Sequence, residues 1–346
     1  MNTKRRIARL DPHGRAGAAA GSFARLLTIV GGLILACSGA LAQAAAPAAL
    51  DAATSAPPVA NATATSATPA GNDAMSVEVK SWYEPAEPMQ IVGPIYFVGT
   101  RGLGVYLIAT PAGTILIDGA PAEDAPLIDA SIRKLGFKPE EIRQVLITHA
   151  HFDHVGTLAH FKALSGAPVA VMAADVDLLK SGGTLDYLFA NDPKLHFSGV
   201  TADRALKDGD TVELGGVKLT AHHTPGHTRG CTTWTTTVDD HGHTYAVEIV
   251  GSTSVNPGTR FVNDPSYSGI ADDYRHSLSM LDSLQPDIYL APHTSFFDFE
   301  SKRARAAAEG ADAFVDPEGY RQRIAASKAA FEAAVARETN QIIGPR

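Results

Sequence analysis

The chain has 346 residues, a net charge of −8 and 45% hydrophobic residues, which is ordinary for one large or two small soluble domains. The first 74 residues hold six Lys or Arg and three Asp or Glu, a net charge of +3. Because the whole chain carries −8, the part from Met75 onward carries −11. An acidic body of this kind argues against nucleic acid as a partner.

Residues 1–42 have the pattern of a secretory signal peptide. The basic start MNTKRRIARL is followed by the uncharged run LLTIVGGLILACSGALA, which ends in a small-residue cleavage pattern before Gln43. The run is too short and too rich in glycine for a membrane span, so we predict export to the periplasm. Two variants stay open: Arg5 and Arg6 are weakly similar to a twin-arginine signal, and LILAC is similar to a lipobox that would make Cys37 a lipidated membrane anchor.

Residues 43–74 consist almost entirely of Ala, Pro, Thr, Ser and Asn. They hold too few large apolar side chains to offset the entropy of ordering, so we predict a disordered tether followed by one catalytic domain over 75–346. If the signal is cleaved after Ala42, Cys231 is the only cysteine left. The fold then depends on core burial and on metal rather than on an internal disulfide.

The domain begins with a predicted meander of strands, MQIVGPIYFVG, LGVYLIAT and GTILIDG. Two amphipathic helices are predicted on either side of the next strand, QVLITHAH, and the strand APVAVM follows the second. Their apolar faces consist of Leu127, Ile128, Ile132 and Leu135 in the first helix, and Leu158, Phe161 and Leu164 in the second.

The second half repeats this order of predicted strands and helices. DTVELGGVKLTAHHT predicts a hairpin over Gly215 and Gly216, CTTWTTTV, TYAVEIVG and DIYLAPH predict strands, and IADDYRHSLSMLDSL predicts a helix. An Ala-rich stretch from Pro317 to Thr339, with Ile324 and Phe331 on one side, predicts a closing helix. Strands followed by alternating helices and strands, twice over, predict two mixed sheets packed together with helices outside. This is a four-layer αββα sandwich with α+β and α/β character.

The stretch THAHFDHVG places three histidines and an aspartate within six positions, at His149, His151, Asp153 and His154. Where a strand end turns into a helix, neighbouring side chains diverge. His149 and His151 can therefore face one point while Asp153 and His154 face another. Imidazole nitrogens and a carboxylate oxygen suit zinc, and the lack of cysteine argues against a structural zinc site.

Each of these two points still needs a ligand, and two histidines just past strand or turn ends offer one: His227 in TPGHT and His293 in APHT. We predict two Zn²⁺ per chain, the first bound by His149, His151 and His227, and the second by Asp153, His154 and His293. Two such zincs could share one hydroxide, because zinc lowers the pKa of bound water from about 15.7 to about 7. His222 and His223 are neighbours on a strand and face opposite ways, so at most one of them can approach the metals. We interpret both as residues that either hydrogen-bond to a metal ligand or pack in the fold.

The motifs THAHFDH, TPGHT and APHTSFF, in this order, make the chain resemble the metallo-β-lactamase superfamily over nearly all of the folded part. This resemblance implies the αββα fold but not the substrate. After TYAVEIVG, glyoxalase II-type enzymes and lactonases carry an aspartate that bridges both metals, whereas here Gly251 is followed by Ser252. Together with HHTPGHTRGCTTWT and GSTSVNPG, this serine makes the chain similar to the third subclass of class B zinc β-lactamases.

The resemblance implies a hydrolase that opens β-lactam antibiotics (penicillins, cephalosporins and carbapenems) and confers antibiotic resistance. It implies that a zinc-bound bridging hydroxide attacks the β-lactam carbonyl carbon and that Asp153 orients this hydroxide. It also assigns Ser252 and Ser254, which share a side if the strand persists, to the substrate carboxylate. Asp118 matches an aspartate that fixes a histidine ligand, with an ordinary strand-ending turn as the alternative. Thr294 departs from a common glycine and could narrow the site.

A β-lactam is the only partner that the resemblance implies, with no stable protein partner and with membrane contact only if Cys37 is lipidated. Substrate range is expected to depend on the loop from Ser181 to Val200 and on Phe152, Phe296 and Phe297, for which core packing is an equal alternative. Two other functions remain open: a lactone or thioester hydrolase of the same fold, and a metal-binding scaffold without turnover. The presence of all six predicted ligands argues against the scaffold.

Overall fold

The computed structural model describes residues 78–344. The predicted signal peptide (1–42), the predicted tether (43–74) and Cys37 lie outside the described residues. In the part that is described, no helix has both the length and the hydropathy that a membrane crossing requires.

Seven strands form the first sheet, in the order in which they occur along the chain. They are β1 (Met89–Val92), β2 (Ile95–Phe97), β3 (Tyr106–Thr110), β4 (Gly113–Ile117), β5 (Ile142–Leu146), β6 (Val169–Met172) and β7 (Arg204–Leu206). The first four strands pair antiparallel and β4 to β7 pair parallel. Parallel strands need crossover connections, which here contain α1 (Ala125–Lys134), α2 (Phe152–Val155), α3 (Leu158–Ser165) and α4 (Val176–Ser181).

Five strands form the second sheet, in the spatial order β12-β11-β10-β9-β8. They are β8 (Thr211–Leu214), β9 (Val217–His223), β10 (Thr232–Asp240), β11 (His243–Ile249) and β12 (Ile288–Leu290). All pairs are antiparallel except β11 with β12. The predicted hairpin is present, because Gly215 and Gly216 turn the chain with φ of 53° and 95°, values that favour glycine. Three longer helices follow: α5 (Ile270–Ser283), α6 (Phe299–Glu309) and α7 (Pro317–Ile343).

The two sheets share one core, and helices cover both outer faces. On β4, Ile117 packs in the inter-sheet core with Trp234 and Ile249 of the second sheet, whereas Leu116 points the other way and packs with Ile128 of α1. This alternation is the period of two that a strand imposes. On the far side, helices α5 and α7 cover the second sheet. The predicted αββα sandwich with two mixed sheets is confirmed.

Local details depart from the predictions. Leu164, expected on the buried face of its helix, is 37% exposed, because α3 ends one residue later, at Ser165, and Gly166 turns the chain with φ of 67°. The closing helix runs four residues beyond Thr339, to Ile343. Neither difference moves the strand ends that carry the polar residues.

Candidate metal centre

The six predicted ligands come from three separate parts of the chain. His149 to His154 follow the end of β5 at Leu146, His227 lies in the connection between β9 and β10, and His293 follows β12. The structure gathers them into two groups, His149, His151 and His227 in one and Asp153, His154 and His293 in the other. In each group, one possible ligand atom per residue lies within 4.8 Å of the others. The imidazole rings of His149 and His154 are 4.3 Å apart between centroids, so the groups adjoin.

Within the first group, three ring nitrogens face one another. His151 Nδ1 lies 3.1 Å from His227 Nε2, and His149 Nε2 is buried with no hydrogen-bond partner among the described residues. Desolvation lowers the pKa of His149 far below its usual range and that of His227 to about 3, so these rings are neutral at physiological pH. A neutral imidazole has one N–H and one lone pair, and the position of each N–H decides what the group can bind.

In each of these three histidines the other ring nitrogen has an acceptor outside the group. His149 Nδ1 lies 3.1 Å from Thr148 Oγ1, and His227 Nδ1 lies 2.9 Å from the carbonyl oxygen of Ser254. The third contact joins His151 to an aspartate that sequence reasoning did not single out: Nε2 lies 3.1 Å from Asp186 Oδ2. With the N–H of each ring directed outward, three lone pairs converge.

The second group contains the carboxylate. Asp153 Oδ2 lies 3.1 Å from His154 Nε2 and 3.6 Å from His293 Nε2, and the two Nε2 atoms are 3.3 Å apart. Burial alone would raise the pKa of Asp153, but the neighbouring His154 and His293 lower it overall, so the side chain remains a carboxylate. Desolvation lowers the pKa of His293 to about 3.

These arrangements fit divalent cations. In the first group the converging lone pairs repel one another, and a cation at the centre would convert that repulsion into coordination. In the second group Asp153 raises the pKa of His154 against the effect of burial, and a cation at the centre would replace the imidazole proton that faces the carboxylate. Imidazole nitrogens with one carboxylate are a donor set that Zn²⁺ accepts readily. The residues present therefore fit two metal ions.

Asp118, predicted to orient a histidine ligand, is connected to His149 through Thr148. Its carboxylate accepts hydrogen bonds from Thr148 N at 2.6 Å and Thr148 Oγ1 at 2.7 Å, and Thr148 Oγ1 in turn faces His149 Nδ1. The carboxylate also lies 3.9 Å from His154 Nδ1. Asp118 adopts φ of 63°, an uncommon conformation outside glycine that persists where surrounding contacts enforce it, often at functional sites.

A second unpredicted aspartate, Asp175, connects two ligand-bearing segments. It is fully buried and accepts hydrogen bonds from Ala150 N (3.1 Å), Thr228 Oγ1 (2.7 Å) and Gly230 N (2.7 Å). Ala150 lies between His149 and His151, and Thr228 follows His227. A Cβ at Gly230 would collide with Asp175, so glycine allows this close approach.

A cavity of about 580 Å³ opens over both groups, within the usual size of small-molecule sites. Four predicted ligands line it, His151, Asp153, His227 and His293. Its walls are mostly apolar or aromatic: Val79, Trp82, Phe152, Phe189, Leu195, Phe197, Pro257 and Phe296. Within residues 78–344, no lysine or arginine lines it. A substrate anion would therefore have to be recognised by metal ions, hydroxyl groups, backbone or the side-chain amide of Asn256, which also lines the cavity.

The two predicted serines occupy different environments. Ser254 lines the cavity, whereas Ser252 is only 4% exposed and its Oγ lies 3.4 Å from Ser254 N. The strand β11 ends at Ile249, so the alternation that would place both serines on one side does not extend to them.

The other residues named from the sequence also differ in whether they line the cavity. Phe152 and Phe296 line the cavity, but Phe297 is buried in the inter-sheet core. Thr294 directs its hydroxyl to the carbonyl of Arg101 at 2.6 Å and is not among the cavity-lining residues. His222 and His223 contact Thr235 Oγ1 and the carbonyl of Arg229 respectively, so neither ring bonds to a member of the two groups. The loop from Ser181 to Val200 does form one cavity wall.

Sequence reasoning missed two aspartates, and only the first has a local signal that could have found it. Asp175 follows the end of β6, and the rule that singled out His293, a polar residue just past a strand, would also have found it. Asp186 lies in a loop after two glycines, and no spacing in the sequence connects it with His151.

Comparison with known proteins finds a family model and solved structures that all carry the metallo-β-lactamase name. The family described as the metallo-β-lactamase superfamily matches residues 104–293. The native FEZ-1 metallo-β-lactamase of Legionella gormanii is 43% identical, with a TM-score of 0.72, over 74% of this chain and 98% of that chain. BJP-1, a subclass B3 metallo-β-lactamase of Bradyrhizobium japonicum, is 37% identical, with a TM-score of 0.72, over 76% and 99%.

Curated sequence relatives are more varied and are matched over shorter segments. A probable metallo-hydrolase of Burkholderia pseudomallei (strain 1710b) is 31% identical over 46% of this chain, and an acyl-coenzyme A thioesterase of Gallus gallus is 35% identical over 24%. The chain spans 53% of the length of the first and 33% of the second.

Proposed function

The chain belongs to the metallo-β-lactamase superfamily, and from this premise we propose that it is a dinuclear zinc β-lactamase of the third subclass of class B. It would hydrolyse the amide bond of penicillins, cephalosporins or carbapenems. The observation that carries the proposal is the pair of adjoining three-ligand groups beneath a cavity, with Ser252 at the place where related hydrolases carry a bridging aspartate. High identity to FEZ-1 and BJP-1 over nearly their whole length supports it.

In this proposal His149, His151 and His227 hold one zinc, and Asp153, His154 and His293 hold the other. When bound, the two ions would supply a nucleophilic water at neutral pH and Lewis acids for the carbonyl oxygen and the departing nitrogen of the lactam. The chain's own residues position these parts. Asp153 remains ionised among the histidines, so its carboxylate can accept a hydrogen bond from water and orient it toward the substrate carbonyl.

The cavity walls bind and orient the substrate. Ser254 presents a hydroxyl that can donate a hydrogen bond to the carboxylate found on β-lactam antibiotics. Aromatic side chains on both sides, Phe189 and Phe296 among them, offer apolar area to the substituents and exclude water from the reacting bond.

A lactone or thioester hydrolase is the second candidate. The similarity to an acyl-coenzyme A thioesterase favours it, because the ligand motif is shared across the superfamily and does not determine the acyl group. The position of Ser252 favours the β-lactamase, since a metal without a bridging carboxylate keeps more room for an anionic leaving nitrogen.

A kinetic panel tests the choice. The full chain, with zinc, is assayed against nitrocefin, a penicillin, a carbapenem, an acyl-homoserine lactone and a thioester, before and after chelation and after zinc is restored. We expect the highest kcat/KM on a β-lactam and loss of all turnover without metal. Two bound zincs with no β-lactam turnover would refute the proposal, and a higher kcat/KM on the lactone or thioester would establish the second candidate. The variant D153A serves as the inactive control.

Export to the periplasm and resistance of the host belong to the same proposal. Expression of the full chain in a Gram-negative host should raise the lethal ampicillin concentration, and activity should appear in the periplasmic fraction. A chain that begins at Met75 should remain in the cytoplasm and leave sensitivity unchanged.

A further inference from the structure

The loop after α4, residues 182–199, forms one wall of the cavity. It begins at Gly182 and Gly183, which adopt φ of 66° and 91°, and Phe197 N bonds back to the carbonyl of Gly182 at 3.0 Å. Within the loop, the Phe189 ring packs against the His151 ring edge to face, with 5.4 Å between centroids and 69° between the ring planes. The loop is thus in contact with the first ligand group.

One side chain joins the loop to that group. Asp186 is buried, and its two carboxylate oxygens have different partners. Oδ1 accepts hydrogen bonds from Leu188 N and Phe189 N, both at 2.7 Å. Oδ2 lies 3.1 Å from His151 Nε2. One oxygen therefore shapes the turn that carries Phe189, while the other is available to a metal-site histidine.

We propose that Asp186 is a positioning residue that fixes the tautomer of His151. An ionised carboxylate has no proton to donate, so His151 Nε2 must carry the N–H. The lone pair is then on Nδ1, the nitrogen that faces His227 Nε2 at 3.1 Å. Asp186 thereby keeps Nδ1 ready for coordination and holds the ring plane against Phe189.

This inference rests on the proposed function only in taking His149, His151 and His227 as a metal site. It goes further, because it assigns a residue of the cavity wall to the affinity of one of the two metals.

The variant D186N separates a positioning role from a structural one. Two backbone N–H groups require an acceptor, so the amide oxygen stays on Leu188 N and Phe189 N, and the amide NH₂ faces His151 Nε2. The NH₂ can only donate, so the imidazole proton moves to Nδ1, which can no longer coordinate. The backbone turn is therefore preserved, whereas His151 changes to the tautomer with its proton on Nδ1.

Zinc binding is measured by competition with a chromophoric chelator, and the turn is monitored by amide hydrogen exchange at Leu188 and Phe189. We expect D186N to weaken one of the two zincs by about 10- to 100-fold, to leave the other unchanged and to retain wild-type exchange. D192N is the matched control, because Asp192 caps Lys194 N at 3.1 Å in the same loop and is exposed. It should bind both zincs as the wild type does.

Two results would overturn the inference. The first is D186N with both zinc affinities within about twofold of wild type, well short of the expected loss. The second is a loss of affinity that comes with loss of exchange protection at Leu188 and Phe189, since this would indicate a role in loop structure alone. Wild-type protein that binds fewer than two zincs would instead refute the proposed function.

A measurement on the wild-type protein keeps the inference testable if D186N does not fold. Histidine ring ¹⁵N shifts, recorded with and without zinc, should show His151 with its proton on Nε2 in both states. A His151 ring protonated on Nδ1 alone would contradict the assignment, whatever the zinc stoichiometry or activity.

Discussion

Replacing Asp175 with alanine would test how strongly one buried carboxylate stabilises the ligand-bearing segments. The substitution leaves three donors, Ala150 N, Gly230 N and the Thr228 hydroxyl, without the acceptor they now share. The two backbone groups are fixed by their segments, whereas the hydroxyl can rotate toward another acceptor.

The expected loss in the free energy of unfolding follows from these three donors. A buried donor left without a partner costs about 1–3 kcal/mol, so two fixed donors and one mobile hydroxyl give a loss of about 4 kcal/mol in the free energy of unfolding. For a domain of this size, about 1 kcal/mol corresponds to about 2–4 °C, so Tm should fall by about 10 °C. Because the freed segments carry His149, His151 and His227, zinc affinity of the first group should fall as well.

Urea unfolding in the presence of a chelator is the suitable assay, since bound metal would add its own stabilisation. D177A is the matched control: Asp177 is exposed two residues further on, and its loss should cost less than about 0.5 kcal/mol. If D175A unfolds within about 1 kcal/mol of the wild type with an unchanged m-value, the three hydrogen bonds do not carry the stability assigned to them.

Three further outcomes are expected. H227A and H293A should each reduce bound zinc from two per chain to one, measured by elemental analysis, and retention of two would contradict the assignment of ligands. S254A should raise KM about tenfold for a β-lactam with a free carboxylate and leave zinc content unchanged, because the carbonyl that holds His227 is retained; an equal KM would exclude the hydroxyl from substrate binding. Burial raises the pKa of Glu248 from 4.5 to about 8, so the native state binds the extra proton between these values and wild-type stability falls as pH rises through that window. E248Q should lack this slope and be more stable at pH 7 by about 3 kcal/mol, and parallel stability curves for the two proteins would refute the shift.

The gathering of the six residues into two groups could be predicted from the sequence because their signals are local. His149, His151, Asp153 and His154 are close in the chain, and His227 and His293 each follow a strand or turn end with its own proline signal. The sandwich followed from the order of strand and helix patterns. Where the prediction depended on how far an element continues, it failed: β11 ends before Ser252.

The strand-end rule would have found Asp175, but the contacts of Asp175 and Asp186 could not be assigned because they exist only in the folded chain. Asp175 meets Gly230 across 55 positions, and Asp186 meets His151 across 35. A single aspartate has too many uses in a loop for its role to be inferred from its neighbours in sequence, and only the packing of the loop on the histidine makes Asp186 distinctive.

The two walls of the cavity are tied to the histidines in chemically different ways. The carbonyl of Ser254 accepts from both His227 Nδ1 and the Tyr274 hydroxyl, a role that any amino acid can fill if the backbone keeps its path. At position 186 the connection uses a side chain, and among the natural residues only a carboxylate of that length would serve. Substitutions at 254 should therefore leave the contact to His227 intact, whereas almost any substitution at 186 should break the contact to His151.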